Sequence, residues 1–224
     1  MTSPERSPEP DAARKRGIKI TLIFVLAFIA VIVGSFVYTT VRPRLLTVDE
    51  LRANNAVMFS QPRDIGEFAL TDDNGVAFNP ASLRGQWSLL FFGYTYCPDI
   101  CPTTMVLLNQ FYGKLEPQLK KDTQIIMVSV DPARDDVAKL NEYVRYFNPK
   151  FRGVTGEFMA LQKFATSLSI PFAKVPGGGD HYLIDHSGSI ALINPNGHYV
   201  GFFKSPHDLN LLVKNYESIH PQFK

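Results

Sequence analysis

The chain has two cysteines, and they lie together in Gly93-Tyr-Thr-Tyr-Cys97-Pro-Asp-Ile-Cys101-Pro102. Thiols this close can form a small staple, exchange electrons or hold a metal. The staple is the weakest use: closing a loop of about five residues removes only ~2 kcal/mol of unfolded-state entropy, against ~4.7 kcal/mol for a 100-residue loop. Three residues separate the pair, one more than in thioredoxin-type oxidoreductases. Two thiolates on one turn suit a soft ion such as Cu(I), and zinc is chemically admissible. Each cysteine precedes a proline, which steers it away from helical geometry. Pro102 is therefore expected as the first helical residue, with Cys101 at the cap. The positive end of a helix then lowers the thiol pKa and favours thiolate.

A metal would want a further ligand, and the chain offers five histidines. His198 falls in a turn, while His207 and His220 lie near the last helix; all three read as solvated surface residues. His181 and His186 flank the strand-like Tyr182–Asp185 segment, after the glycine-rich loop Pro176–Asp180. Spacing alone does not choose between them.

The elements that must position these groups follow from pattern. Ser88–Phe92 and Gln124–Val130 are continuous apolar runs of strand length, read as inner strands buried on both faces. Between them, Leu107, Leu108, Phe111 and Leu115 recur at helical spacing. The cysteines thus follow a central strand and precede a helix, where α/β folds place their sites. Upstream, Phe68-Ala-Leu, the turn Asp72–Gly75 and Val76-Ala-Phe predict a hairpin. Downstream, helices are expected over Val137–Phe147, capped by Asp135 or Asp136, and over Glu157–Leu168. Strands over Tyr182–Asp185 and Ile190–Ile193 follow. A turn at Asn194–Gly197 leads into Tyr199–Phe203, and a last helix runs from Pro206 to about Ile219. This order predicts an α/β sandwich, a mixed sheet with helices on both faces and an N-terminal hairpin extension.

Ahead of this domain, no charge interrupts Ile20–Val41. About 20 apolar residues cross a hydrocarbon core of about 30 Å, so 18–41 is expected to be an uncleaved transmembrane anchor. A signal peptide fits less well, because the run is long and ends without a small-x-small site. Arg14, Lys15, Arg16 and Lys19 outnumber Arg42 and Arg44, which keeps residues 1–17 as a short cytoplasmic tail and exports the rest to the bacterial periplasm. Thr47–Glu50 reads as a capping box opening a short helix, within a stalk spanning 42–64. Seven basic and three acidic residues lie up to Arg44, leaving 16 basic and 18 acidic in the remainder. A mildly acidic globular part argues against nucleic acid as a partner. Neither a Gly-x-Ser-x-Gly elbow nor a phosphate-binding loop occurs.

Four strings carry a family likeness: the cysteine segment above, Val128-Ser-Val-Asp-Pro132, Tyr182-Leu-Ile-Asp-His-Ser187 and Leu192-Ile-Asn-Pro-Asn-Gly197. In this order they resemble the Sco/SenC family, membrane-anchored thioredoxin-like copper proteins of cytochrome c oxidase assembly. The likeness runs from about Ile65 to Tyr216, inside an expected thioredoxin-like copper-binding domain at 65–224. It implies Cys97, Cys101 and His186, rather than His181, as ligands for Cu(I) or Cu(II). It also singles out Asp131, for which a supporting site role and a turn-shaping role beside Pro132 stay open. The implied partners are oxidase subunit II, with its binuclear copper site, and a periplasmic copper donor or thiol reductant. The expected function is copper delivery. The alternative is a thiol-disulfide oxidoreductase, with Cys97 attacking and Cys101 resolving, and a thiol peroxidase stands third. Two features depart from the family pattern: the short glycine loop before Tyr182, and Gly188 where a branched apolar residue is usual.

Overall fold

The computed structural model describes residues 11–41, 45–177, 179 and 182–223. Residues 1–10, Arg42, Arg44 and His181, all used in the sequence reading, lie outside the described residues. The chain divides into two compact units, Met1–Arg44 and Leu45–Lys224. In the first, helix α1 spans Asp11–Val41, so residues 11–17, expected in the tail, are helical. Its Arg14–Val37 stretch is long and apolar enough to cross a membrane.

The second unit is built around two parallel strands, β4 (Trp87–Gly93) and β5 (Thr123–Ser129), paired from Trp87↔Thr123 to Gly93↔Ser129. Every residue in both is buried, as their unbroken apolar runs require. Antiparallel to β4 lies β9 (Ile190–Ile193), followed by β10 (Tyr199–Phe203). On the other side, β6 (Arg152–Thr155) runs parallel to β5. The hairpin β2 (Leu70–Asp72) and β3 (Ala77–Phe78) extends the sheet beyond β6, and β1 (Ala56–Arg63) closes the opposite edge on β10. Among the described residues the strand order is β1-β10-β9-β4-β5-β6-β2-β3. The parallel unit β4–α3–β5 and the antiparallel unit β9–β10–α7 form the expected thioredoxin-like core, with α3 at Ile100–Lys114 and α7 at Leu209–Ile219.

The pleat of β4 assigns its faces. Trp87 meets Tyr216 of α7 edge-on at 6.1 Å, and Phe111 of α3 meets the same Tyr216 at 5.3 Å. Phe92, of opposite parity, faces Phe164 of α6 (Phe158–Ser167) at 5.9 Å. Helices therefore cover both faces, and each buried aromatic contributes roughly 1.5–3 kcal/mol. Asp136 caps α5 (Val137–Phe147) by accepting from Lys139 N at 2.8 Å. Asp208 caps α7 through Leu211 N at 2.9 Å. The Thr47–Glu50 box opens α2 (Val48–Ala53) as expected.

The expected stalk is not a stalk from residue 45 onward. Leu46 and Leu51 are buried, Leu46 N donates to Ser218 Oγ at 2.6 Å, and β1 joins the sheet. Pro62 is tolerated there because β1 is an edge strand. The sequence reading also missed β6 and β7 (Phe172–Lys174), and began β8 (Ile184–His186) two residues early and ended it one early. Helix α3 ends at Lys114, so Leu115, read at helical spacing, is its C-cap, and the short α4 (Pro117–Lys121) follows.

Candidate metal centre

Gly93 ends β4 on the face that carries Phe91, so the chain leaves the sheet directly beneath the start of α3. Cys97 lies on the intervening turn, with its amide donating to Tyr94 O at 3.2 Å. Cys101 is the second residue of α3, after the N-cap Asp99. This corrects the expected helix start by two residues. The first amides of a helix have no intrahelical acceptor, so Pro102 fits at the third position without losing a hydrogen bond. Cys101 is fully buried and Cys97 half-buried; both are free thiols.

The third group comes from β8, which pairs antiparallel with β7 outside the main sheet, Phe172 opposite His186. His186 Nε2 lies 3.4 Å from Cys101 Sγ. One ligand atom from each of Cys97, Cys101 and His186 falls within 4.8 Å of the others, the one such group among the described residues. The ring is held edge-on to Phe91 (6.0 Å) and Tyr94 (5.8 Å). His186 Nδ1 stands 3.3 Å from Ser187 O. A carbonyl only accepts, so with the proton on Nδ1 this contact becomes a hydrogen bond and Nε2 is free for a metal, the tautomer that a metal ligand needs.

The two thiols are electrostatically unlike. A hydrogen bond from the Cys101 thiol, then the amides of Asp99 and Cys101, lower the Cys97 pKa to about 4. The same thiol–thiolate bond, reinforced by burial, pushes Cys101 upward. The hydrogen bond between them favours a pair that shares one proton, with the negative charge on Cys97, the more exposed sulfur.

The shape of the floor depends on Gly93. A Cβ there would stand 2.8 Å from Cys101 Sγ and 2.9 Å from Phe91 Cε1. Gly93→Ala is expected to displace the Cys101 sulfur and to destabilise the fold by about 1–3 kcal/mol, the usual range for overpacking. The shift in urea midpoint measures the first-order effect; an unchanged midpoint would contradict this packing.

Asp131 is not among the three converging groups. Its carboxylate accepts from Arg134 Nε and from Tyr182 Oη, the latter at 2.7 Å. Its carbonyl accepts from the amides of Arg134 and Asp135, so the turn-shaping role is present. His198 is exposed, as expected, and His207 is half-buried. His220 is a correction: it is buried, packed 6.0 Å from Trp87 and 5.8 Å from Tyr216, where the end of α7 folds over the sheet. Three contributors went unnoticed in the sequence. Phe91 and Tyr94 frame the imidazole. Asp135, fully buried, accepts from Thr95 N, Thr95 Oγ1 and Ser129 Oγ at 3.0, 2.6 and 2.7 Å, pinning the start of the cysteine turn. Burial pushes its carboxyl up despite these three donors. Its one signal was that Asp135 and Asp136 competed for a single cap.

A family profile described as SCO1/SenC matches residues 57–220. The SCO2-like protein of Rickettsia felis is 36% identical over 154 residues, spanning 66% of this chain and 75% of the relative. The crystal structure of Arabidopsis thaliana ScoI with copper bound superposes with a TM-score of 0.65 at 34% identity, over 70% of this chain and 98% of that one. Yeast Sco1 with copper bound gives a TM-score of 0.66 at 31% identity, over 73% and 91%.

Proposed function

The chain belongs to the SCO1/SenC family, and on that premise we propose that it is a membrane-tethered copper chaperone that holds copper through Cys97, Cys101 and His186 and delivers it to the binuclear copper site of cytochrome c oxidase subunit II. The observation that carries this reading is the convergence of two sulfurs and one imidazole nitrogen within 4.8 Å. Two soft sulfurs suit Cu(I), and the harder nitrogen extends the set to Cu(II). Ligand demand therefore changes with oxidation state, which gives a route to release. Three protein donors leave a coordination position open to an incoming partner ligand. Cys97 meets the metal as a thiolate, while Cys101 gives up its proton, so copper loading near neutral pH releases about one proton per chain. The apolar helix α1 supports a membrane anchor, and the excess of basic residues on its N-terminal flank favours a domain on the periplasmic face of a bacterial inner membrane. Delivery is tested by mixing copper-loaded protein with the metal-free copper domain of subunit II. Copper is expected to move to the acceptor, and its full retention on the donor would contradict delivery.

One observation favours a second reading. Two free cysteines side by side, Cys97 half-buried and Cys101 buried, are also the arrangement needed to reduce a disulfide, and their mutual hydrogen bond favours the thiolate on Cys97. Cys97 Sγ would attack one sulfur of a partner disulfide, and the other would leave as a thiolate. Cys101, losing its proton, would then displace the mixed disulfide, forming the Cys97–Cys101 bond and freeing the partner as a dithiol.

A further inference from the structure

The segment that bears His186 is weakly tied to the main sheet. Its strand β8 pairs with the three-residue β7, and β9 begins only at Ile190. What holds it instead is a set of side chains from better-anchored elements. Upstream, Arg134 Nη2 donates to Tyr182 O at 3.0 Å and its guanidinium lies 3.7 Å from the Tyr182 ring centroid, while Tyr182 Oη donates to Asp131. Ile184 N donates to Tyr94 Oη at 3.2 Å. Downstream, a hydrogen-bonding side chain reaches in from the β10–α7 connection: His207 Nε2 lies 2.8 Å from Gly188 O. The carbonyl can only accept, so Nε2–H donates.

Gly188 makes this contact possible. A Cβ there would stand 2.9 Å from Ile100 Cδ1 and 3.1 Å from Ser205 Cβ, so the bare backbone lies closely against the connection that carries His207. The departure from the family's branched residue at this position thus has a local use. His207 itself is placed by Asp208, which caps α7 next to it.

We infer that His207 is a positioning residue for His186: its hydrogen bond to Gly188 O fixes the downstream end of the imidazole-bearing segment, two residues from the ligand, against the Asp131–Arg134–Tyr182 latch at the upstream end. This rests on the copper reading above and deepens it. The two sulfurs are held by β4 and α3 and do not depend on the latch. Loosening it affects the nitrogen ligand alone, and with it the preference for Cu(II) over Cu(I).

The test uses the full chain in detergent, as wild type, His207→Phe and His207→Gln. Phenylalanine keeps a ring but has no donor, whereas the glutamine amide can donate again. Amide hydrogen exchange on the copper-free protein reads the segment directly. Loss of one such bond raises local opening about 3- to 10-fold, so exchange across 183–189 is expected to accelerate by that factor in His207→Phe and to return toward wild type in His207→Gln. With copper sulfate as probe, His207→Phe is expected to lose intensity in the thiolate-to-Cu(II) band and to change its Cu(II) electron paramagnetic resonance hyperfine splitting. Its Cu(I) stoichiometry stays at the wild-type value, and His207→Gln restores the band. Unchanged exchange and an unchanged band in His207→Phe would overturn the inference, as would equal losses in both variants. If the wild type binds no copper, the chaperone reading falls and the exchange rates alone decide whether the latch exists.

Discussion

His186→Ala is expected to abolish stable Cu(II) binding while leaving the dithiol intact. The variant loses the one nitrogen donor of the set, and Cu(II) is the oxidation state that the two sulfurs alone serve poorly. Changes even in groups behind a metal ligand cost about 10- to 100-fold in affinity, so removal of the ligand is expected to weaken Cu(II) by ~100-fold or more and to erase the thiolate-to-Cu(II) charge-transfer band. Cu(I), satisfied by two sulfurs, should still bind at one equivalent. Cys97 and Cys101 lose only the smallest of their supports in this variant, the His186 contact, and keep Gly93 below, Asp135 through Thr95, and the amides at the start of α3. Disulfide reduction should therefore continue at close to the wild-type rate. Parallel spectroscopic titration and insulin-reduction assays read both quantities. A full charge-transfer band in the variant would remove His186 from the site.

The second large effect is the reactivity of Cys97. Its pKa falls from the ordinary thiol value of 9.0 to about 4, through the Cys101 thiol and two backbone amides. The sign is that of a depressed acid: folding favours the thiolate above pH 4, and the reactive form disappears only as pH falls through that value. At pH 6 an unfolded thiol is roughly 0.1% thiolate, and the folded Cys97 almost entirely so. The more stable thiolate is also a poorer nucleophile, by about two orders of magnitude for a five-unit shift at a Brønsted slope of ~0.45. The two effects leave folded Cys97 about 5- to 10-fold faster than the unfolded thiol at pH 6 and slower at pH 8, with the profiles crossing near pH ~7. Iodoacetamide labelling read by mass spectrometry across pH 4–9 checks this. A folded-state profile that rises tenfold per pH unit up to pH 8 would show an ordinary thiol and contradict the asymmetry. Cys101, protonated and buried, is expected to remain unlabelled throughout.

Much of the scaffold was legible because it rests on strong, local signals. The apolar runs of β4 and β5 need burial on both faces, and α5 has both its periodicity and the Asp136 cap. Adjacency of the two sulfurs was legible for the same reason, since only four peptide bonds separate Cys97 from Cys101. His186 is different. It lies 85 residues from Cys101, and its approach to 3.4 Å depends on how β8 is suspended outside the sheet, which no local spacing encodes. The family likeness supplied that choice. Strand β6 escaped notice because Arg152-Gly-Val-Thr is a poor strand sequence. Its Gly153 is required by packing instead, since a Cβ there would stand 2.5 Å from Leu140 Cγ of α5. Strand β1 was misread as part of the stalk; it holds Pro62 because edge strands accept proline. Pro102 misled in the opposite sense: it marks a helix start, but the start lies two residues earlier.

The most direct test of the three-ligand site is copper K-edge X-ray absorption on the full chain loaded with one equivalent of Cu(II). Two sulfur scatterers and one imidazole per copper are the predicted shell. A shell of nitrogen and oxygen only, or copper that washes off while Cys97 and Cys101 close to a disulfide, would contradict the metal centre and leave thiol exchange as the chemistry of this site.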